Sequence, residues 1–138
     1  MLTLLTNHAS KGIKMHKSRL GAVIVDCETD DLEREAQFWG AALGGEVTSS
    51  HPGGRYLDVR SDPADPGVIL QRVEHPSRIH IDIETDDIEA EVKRLQDLGA
   101  TVVEKMERWT VMEAPSKHRF CIINARRDGF DEQANVWE

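Results

Sequence analysis

The chain has 138 residues, 39% of them hydrophobic and 30% charged, with a formal net charge of −8, the make-up of an ordinary soluble globular protein that forms one domain by length. The negative balance argues against nucleic acid or an anionic membrane as the main partner, since phosphate binding needs clustered Lys and Arg. Only two cysteines occur, Cys27 and Cys121; without a pairing motif they indicate neither a disulfide scaffold nor a Cys-based zinc site, and they fit a reducing cytoplasm.

Residues 1–18 carry Lys11, Lys14 and Lys17 with no interleaved aromatic, and read as a flexible leader. No apolar run approaches membrane-spanning length. The first strand is expected over residues 20–27, with Val23, Val25 and Cys27 on one face and Ala22, Ile24 and Asp26 on the other. A helix follows from about Asp31 to Leu43 and should bury Phe38 and Trp39. Glu46 to Ser49 and Arg55 to Arg60 form a hairpin about the turn His51-Pro52-Gly53-Gly54, and Val68 to Val73 is the next strand.

Arg78 to Ala100 then reads as a strand feeding a helix. Ile79, Ile81 and Ile83 alternate with Arg78, His80, Asp82 and Glu84, a period of two that gives one packing face and one ionisable face. From Ile88 the period becomes helical: Ile88, Val92, Leu95 and Leu98 share a stripe, with Asp86 the expected N-cap and Gly99 just past the end. Strands are expected at Thr101 to Lys105, Trp109 to Glu113 and Arg119 to Asn124. Residues 126–138, polar apart from Phe130, Val136 and Trp137, are a C-terminal tail or a clamp over another surface.

The two strand-helix segments are one motif written twice. Glu28-Thr29-Asp30-Asp31-Leu32-Glu33-Arg34-Glu35 aligns without a gap on Glu84-Thr85-Asp86-Asp87-Ile88-Glu89-Ala90-Glu91 at a constant offset of 56 residues. Leu32, Ala36 and Trp39 map onto Ile88, Val92 and Leu95 at the same offset. The chain is therefore expected to be an α+β fold of tandem β-α-β-β-β modules, residues 19–75 and 76–125.

A tandem repeat of this kind resembles the vicinal oxygen chelate superfamily, which includes glyoxalase I, bleomycin-resistance proteins and extradiol dioxygenases. More narrowly, Asp31-Leu32-Glu33 leading to Phe38-Trp39, Leu70-Gln71-Arg72-Val73, Arg78-Ile79-His80-Ile81-Asp82, Leu95 to Ala100 and Arg119-Phe120-Cys121-Ile122 are similar to its glyoxalase-like domains. Those carry Asp-Pro-Glu-Gly-Asn before the last strand, where this chain has Ala114-Pro115-Ser116-Lys117-His118. The resemblance implies a curled mixed sheet with helices outside and a cup for a small molecule inside. It also implies a homodimer, with Phe130 and Trp137 as candidates for contact.

On that geometry Ile79, Ile81 and Ile83 face the helices, so that Ile81→Ala would cost about 2–5 kcal/mol and His80→Ala little. The implied ligand-binding residues are Arg78, His80, Asp82, Gln71, Tyr56 and Cys121, with His80 the candidate catalytic base or remaining metal ligand. Metal-using members take one ligand from the first and one from the last strand of each half. Here those positions fall on Ile24 and His80, and on Leu70 or Gln71 and Cys121. Isoleucine cannot bind a metal, so a divalent metal is not favoured, no cofactor is identified, and glyoxalase I activity is not expected. Two readings follow: an enzyme of lyase, isomerase or oxygenase type, or a non-catalytic sequestering protein of the bleomycin-resistance type.

Overall fold

The computed structural model describes residues 15–49, 53–63 and 65–138; residues 1–14 of the expected leader, and His51 and Pro52 of the expected turn, lie outside them. The elements are β1 (His16–Glu28), α1 (Leu32–Leu43), β2 (Glu46–Thr48), β3 (Tyr56–Arg60), β4 (Gly67–Val73), β5 (Arg78–Thr85), α2 (Ile88–Asp97), β6 (Thr101–Lys105), β7 (Trp109–Glu113), β8 (Arg119–Asn124), α3 (Phe130–Gln133) and β9 (Asn135–Trp137). Strand order across the curled sheet is β2-β3-β4-β1-β5-β8-β7-β6, with β9 added beside β1.

In each module the strand before the helix pairs in parallel with the module's last strand, β1 with β4 and β5 with β8. The modules then join edge to edge through the antiparallel pair β1–β5, whose register places Ile24 opposite His80. These are the two residues that the 56-residue offset makes equivalent, so the two-fold axis of the duplication passes through that pair. Between Leu20 and Ala22 the register shifts. A Cβ on Gly21 would stand 3.1 Å from the Glu84 Cβ, so glycine lets β1 bend there against β5.

Both helices are capped at the same position of the repeat. Asp31 Oδ1 accepts from the Arg34 amide at 3.2 Å and Asp87 Oδ1 from the Ala90 amide at 3.1 Å. The N-cap of α2 is thus Asp87 and not Asp86, whose carboxylate instead accepts from the Lys17 amide at 2.8 Å and ties β1 to the helix start. Gly44 ends α1 at a φ of 71°, a conformation with no steric penalty for glycine.

Each helix covers the centre of its own module. Under α1 lie Val25, Cys27, Leu57, Val59 and Leu70 with Leu32 and Ala36; under α2 lie Met112, Phe120 and Ile122 with Ile83, Ile88, Val92 and Leu95. The β1–β5 seam falls between the two cores. Ile79 and Ile81 are accordingly 58% and 40% exposed, which overturns the expectation that Ile81 is a core residue; of the three isoleucines only Ile83 packs against a core. Phe38 and Leu98, read as buried, are 61% and 66% exposed because the helices turn those positions away from the sheet.

The C-terminal segment docks on its own chain. β9 pairs with residues 16–18 of β1, so the last three residues assigned to the leader are strand. Behind them Glu91 is wholly buried. Its carboxylate accepts from Ser18 Oγ at 2.8 Å and from two Arg94 nitrogens at 2.9 and 2.8 Å, and meets His16 Nε2 at 2.7 Å. The Arg94 guanidinium lies 3.8 Å from the Trp137 ring centroid, and Phe130 is buried beneath the Arg19 guanidinium. Both aromatics proposed for subunit contact are therefore engaged within the chain. No helix among the described residues is long and apolar enough to cross a membrane.

Candidate functional site

Period-two alternation sends the helix-facing residues into the cores and leaves the other set on the concave face. Three rows of side chains cross that face at the centre of the sheet. One runs Tyr56–Gln71–Asp26–Arg78, the next Ile69–Ile24–His80, and the third Ala22–Asp82–Cys121–Val111. The two-fold axis through Ile24 and His80 exchanges the outer rows, placing Asp26 in the position of Asp82 and Gln71 in that of Cys121.

Above the rows opens a cavity of about 730 Å³, within the size range of small-molecule sites. All six residues expected to bind a ligand, Tyr56, Gln71, Arg78, His80, Asp82 and Cys121, line it. So do Arg108, Trp109, Arg119 and Arg126, which the strand pattern alone did not single out.

His80 sits between two carboxylates. Its Nδ1 is 2.8 Å from Asp26 Oδ2 and its Nε2 3.8 Å from Asp82 Oδ1. A carboxylate only accepts, so Nδ1 carries the hydrogen toward Asp26 and Nε2 is the nitrogen left for chemistry. Asp26 is 2% exposed and its Oδ1 has no hydrogen-bond partner among the described residues; the Arg78 Nε lies 3.7 Å from Oδ2. Sequence reasoning passed over Asp26, although the 56-residue offset from Asp82 pointed to it. Gln71 donates from Nε2 to the Tyr56 hydroxyl at 3.2 Å.

Burial raises the Asp82 carboxyl to about 6; the charges of His80 and Arg126 lower it and that of Asp26 raises it further. The Cys121 thiol is pushed up to about 12, first by burial and then by the charges of Asp82 and Asp26. It is therefore a poor nucleophile.

His80, Asp82 and Cys121 each offer a ligand atom, and these atoms lie within 4.8 Å of one another. With Nδ1 of His80 donating to Asp26, the arrangement has the outer carboxylate that normally orients a metal-bound histidine. The donors fit a three-ligand site for a zinc-like cation with one side open to the cavity. They do not make a symmetric four-ligand set, because Ile24 stands opposite His80.

Comparison with known proteins agrees with this architecture. No curated protein matches the chain. Among solved structures, the fold is shared with Streptomyces coelicolor methylmalonyl-CoA epimerase, in complex with 2-nitronate-propionyl-CoA, at 17% identity and a TM-score of 0.55 over 78% of this chain and 94% of that one. A Mn(II)-bound glyoxalase from Novosphingobium aromaticivorans matches at 17% identity and 0.58, over 83% of this chain and 43% of that one. The 2,2′,3-trihydroxybiphenyl 1,2-dioxygenase of Sphingomonas wittichii matches at 18% and 0.57, over 80% and 41%. The model of the glyoxalase-like domain matches residues 22–123, which hold most of both modules and all of the cavity lining except Asn124 and Arg126, and the chain belongs to that family, within the vicinal oxygen chelate superfamily.

Proposed function

We propose that the protein binds a small organic molecule in the cup and moves a proton on it, as an isomerase or lyase does, with His80 as the base. The observation that carries this reading is the 2.8 Å contact between His80 Nδ1 and the buried Asp26. It fixes the ring and its tautomer, and it stabilises the imidazolium that forms when Nε2 takes a proton. Asp82, raised to about 6, stands beside Nε2 as a second group able to hold a proton near neutrality. The apolar wall of Ile24, Ile69, Val111 and Ile123 excludes water from the ligand's body. If a divalent cation is bound, His80, Asp82 and Cys121 would hold it, and it would supply Lewis acidity to a substrate oxygen.

Ile24, at the position where metal-using relatives carry a ligand, favours a second reading in which the cup sequesters its ligand without chemistry. Deuterium wash-in separates the two. Small α-substituted carbonyl acids incubated in D2O should exchange the α-hydrogen in the presence of the protein, and His80→Gln should abolish exchange. Binding of such acids without exchange would favour sequestration; neither binding nor exchange would contradict both readings.

A further inference from the structure

Four arginines line one cavity of a chain whose formal net charge is −8, and they divide into two pairs. At the Gln71 end, Arg78 Nε faces Asp26 at 3.7 Å, and Arg119 Nε donates to Glu113 Oε2 at 3.2 Å. At the opposite end Arg108 precedes β7 and Arg126 follows β8, on either side of the Trp109–Ile123 pair. Neither of their guanidinium groups makes a hydrogen bond or ion pair among the described residues.

One buried acid at that end, Glu84, is already satisfied. Glu84 accepts from Arg19 Nε at 2.7 Å and from the amides of Arg126 and Arg127 at 2.9 and 3.2 Å, so it does not neutralise the Arg126 side chain. The same two amide bonds fix the backbone from which Arg126 projects. Asp82, whose carboxyl burial raises and the Arg126 charge partly lowers, stands on the same side in the row that leads back to His80.

We infer that Arg108 and Arg126 form an oxyanion subsite, which holds a carboxylate or phosphate group of the ligand while its apolar body lies along Trp109, Ile123 and Ile69 toward His80. This rests on the cup being the ligand site and names the class of molecule it takes: a small apolar compound bearing one oxyanion. Two arginines lining one cavity suit a planar or tetrahedral oxyanion, since guanidinium groups make charge-assisted bonds to it stronger than a neutral group can make.

The test uses benzoate, phenyl phosphate and benzyl alcohol as probes, titrated against the whole chain while the Trp109 indole resonance is followed by NMR. At least one anion should shift it saturably, and benzyl alcohol should bind about ten-fold more weakly or worse. The better anion tells carboxylate from phosphate. Arg126→Gln and Arg108→Gln should each weaken the anion by about ten-fold without lowering the melting temperature. Benzyl alcohol binding as tightly as both anions, no saturable shift with either anion, or unchanged anion affinity in both variants would overturn the subsite. The proton-transfer reading fails separately: His80→Gln should still bind the anion, so anion binding without any deuterium exchange by the native protein removes that reading and leaves the subsite standing.

Discussion

The two modules share a backbone plan and differ in chemistry, and the difference is concentrated on the cup face of the central strands. Across the axis Asp26 answers Asp82 and the helix caps Asp31 and Asp87 coincide, yet Ile24 answers His80, Ala22 answers Arg78 and Gln71 answers Cys121. The shared set builds the sheet, the caps and the carboxylates flanking the centre. The unshared set gives the second module the imidazole and an arginine while the first supplies an apolar wall. The helices diverge likewise: Glu91 is buried against β1 and the tail, whereas its equivalent Glu35 is half-buried and its side chain makes no hydrogen bond or ion pair among the described residues.

The sharpest break in the symmetry should come from that helix pair. Glu91→Ala leaves Arg94, His16 and Ser18 without their common acceptor, and should cost about 3–5 kcal/mol; Glu35→Ala should stay within about 0.5 kcal/mol. Urea unfolding of both variants reads the contrast directly, and equal losses would mean that the tail cluster is not what holds β1 and β9 together. Next in size is the core against the seam. Leu70→Ala, at a wholly buried position, should lose about 2–5 kcal/mol. Ile81→Ala, 40% exposed, should lose under about 1.5 kcal/mol by the same denaturation.

The two aspartates should respond with opposite signs. In metal-free protein kept in chelator, Asp82 has a folded value of about 6 against an ordinary 3.8, so the folded state holds its proton more tightly than the unfolded state between those limits. Stability then falls as pH rises through that window, and the full penalty is present above it. Asp82→Asn should therefore stabilise the fold by about 1–3 kcal/mol at pH 7.5 and confer little below pH 4. Asp26→Ala strips His80 of its buried acceptor and should destabilise by about 1–3 kcal/mol at pH 7.5. Thermal melts at pH 4 and 7.5 check both, and a destabilising Asp82→Asn at pH 7.5 would show that its charge is compensated in the fold.

Much of this was legible in the sequence because it rests on period and repetition. The β-α-β-β-β order, the offset and the polar face of β5 follow from spacing alone, and all six anticipated residues came to one cavity. What was not legible depended on where the helices lie over the sheet. Alternation says that Ile79, Ile81 and Ile83 share a face, but not that the seam runs beneath two of them. Likewise β9 is three residues long, too short for a periodic signal, and is held by side chains distant in sequence, such as Ser18, 119 residues away, which accepts from Trp137 Nε1 at 2.9 Å. The arginines of the rim come from a turn and a strand exit, where no pattern marks which way a side chain points.

His80 is also more deeply tied in than its strand pattern implied. Removing its imidazole leaves the buried Asp26 carboxylate without its closest partner, so His80→Ala should cost about 1–3 kcal/mol rather than nothing, and stability alone cannot assign its role. The tautomer can. Long-range 1H–15N correlation spectra of the histidine side chains should show His80 carrying its hydrogen on Nδ1, with Nε2 the nitrogen that responds to acid or to a bound anion, and Asp26→Asn should disturb that preference. A spectrum in which His80 holds its hydrogen on Nε2, indifferent to Asp26→Asn, would contradict the assignment of Asp26–His80 as the centre of the site.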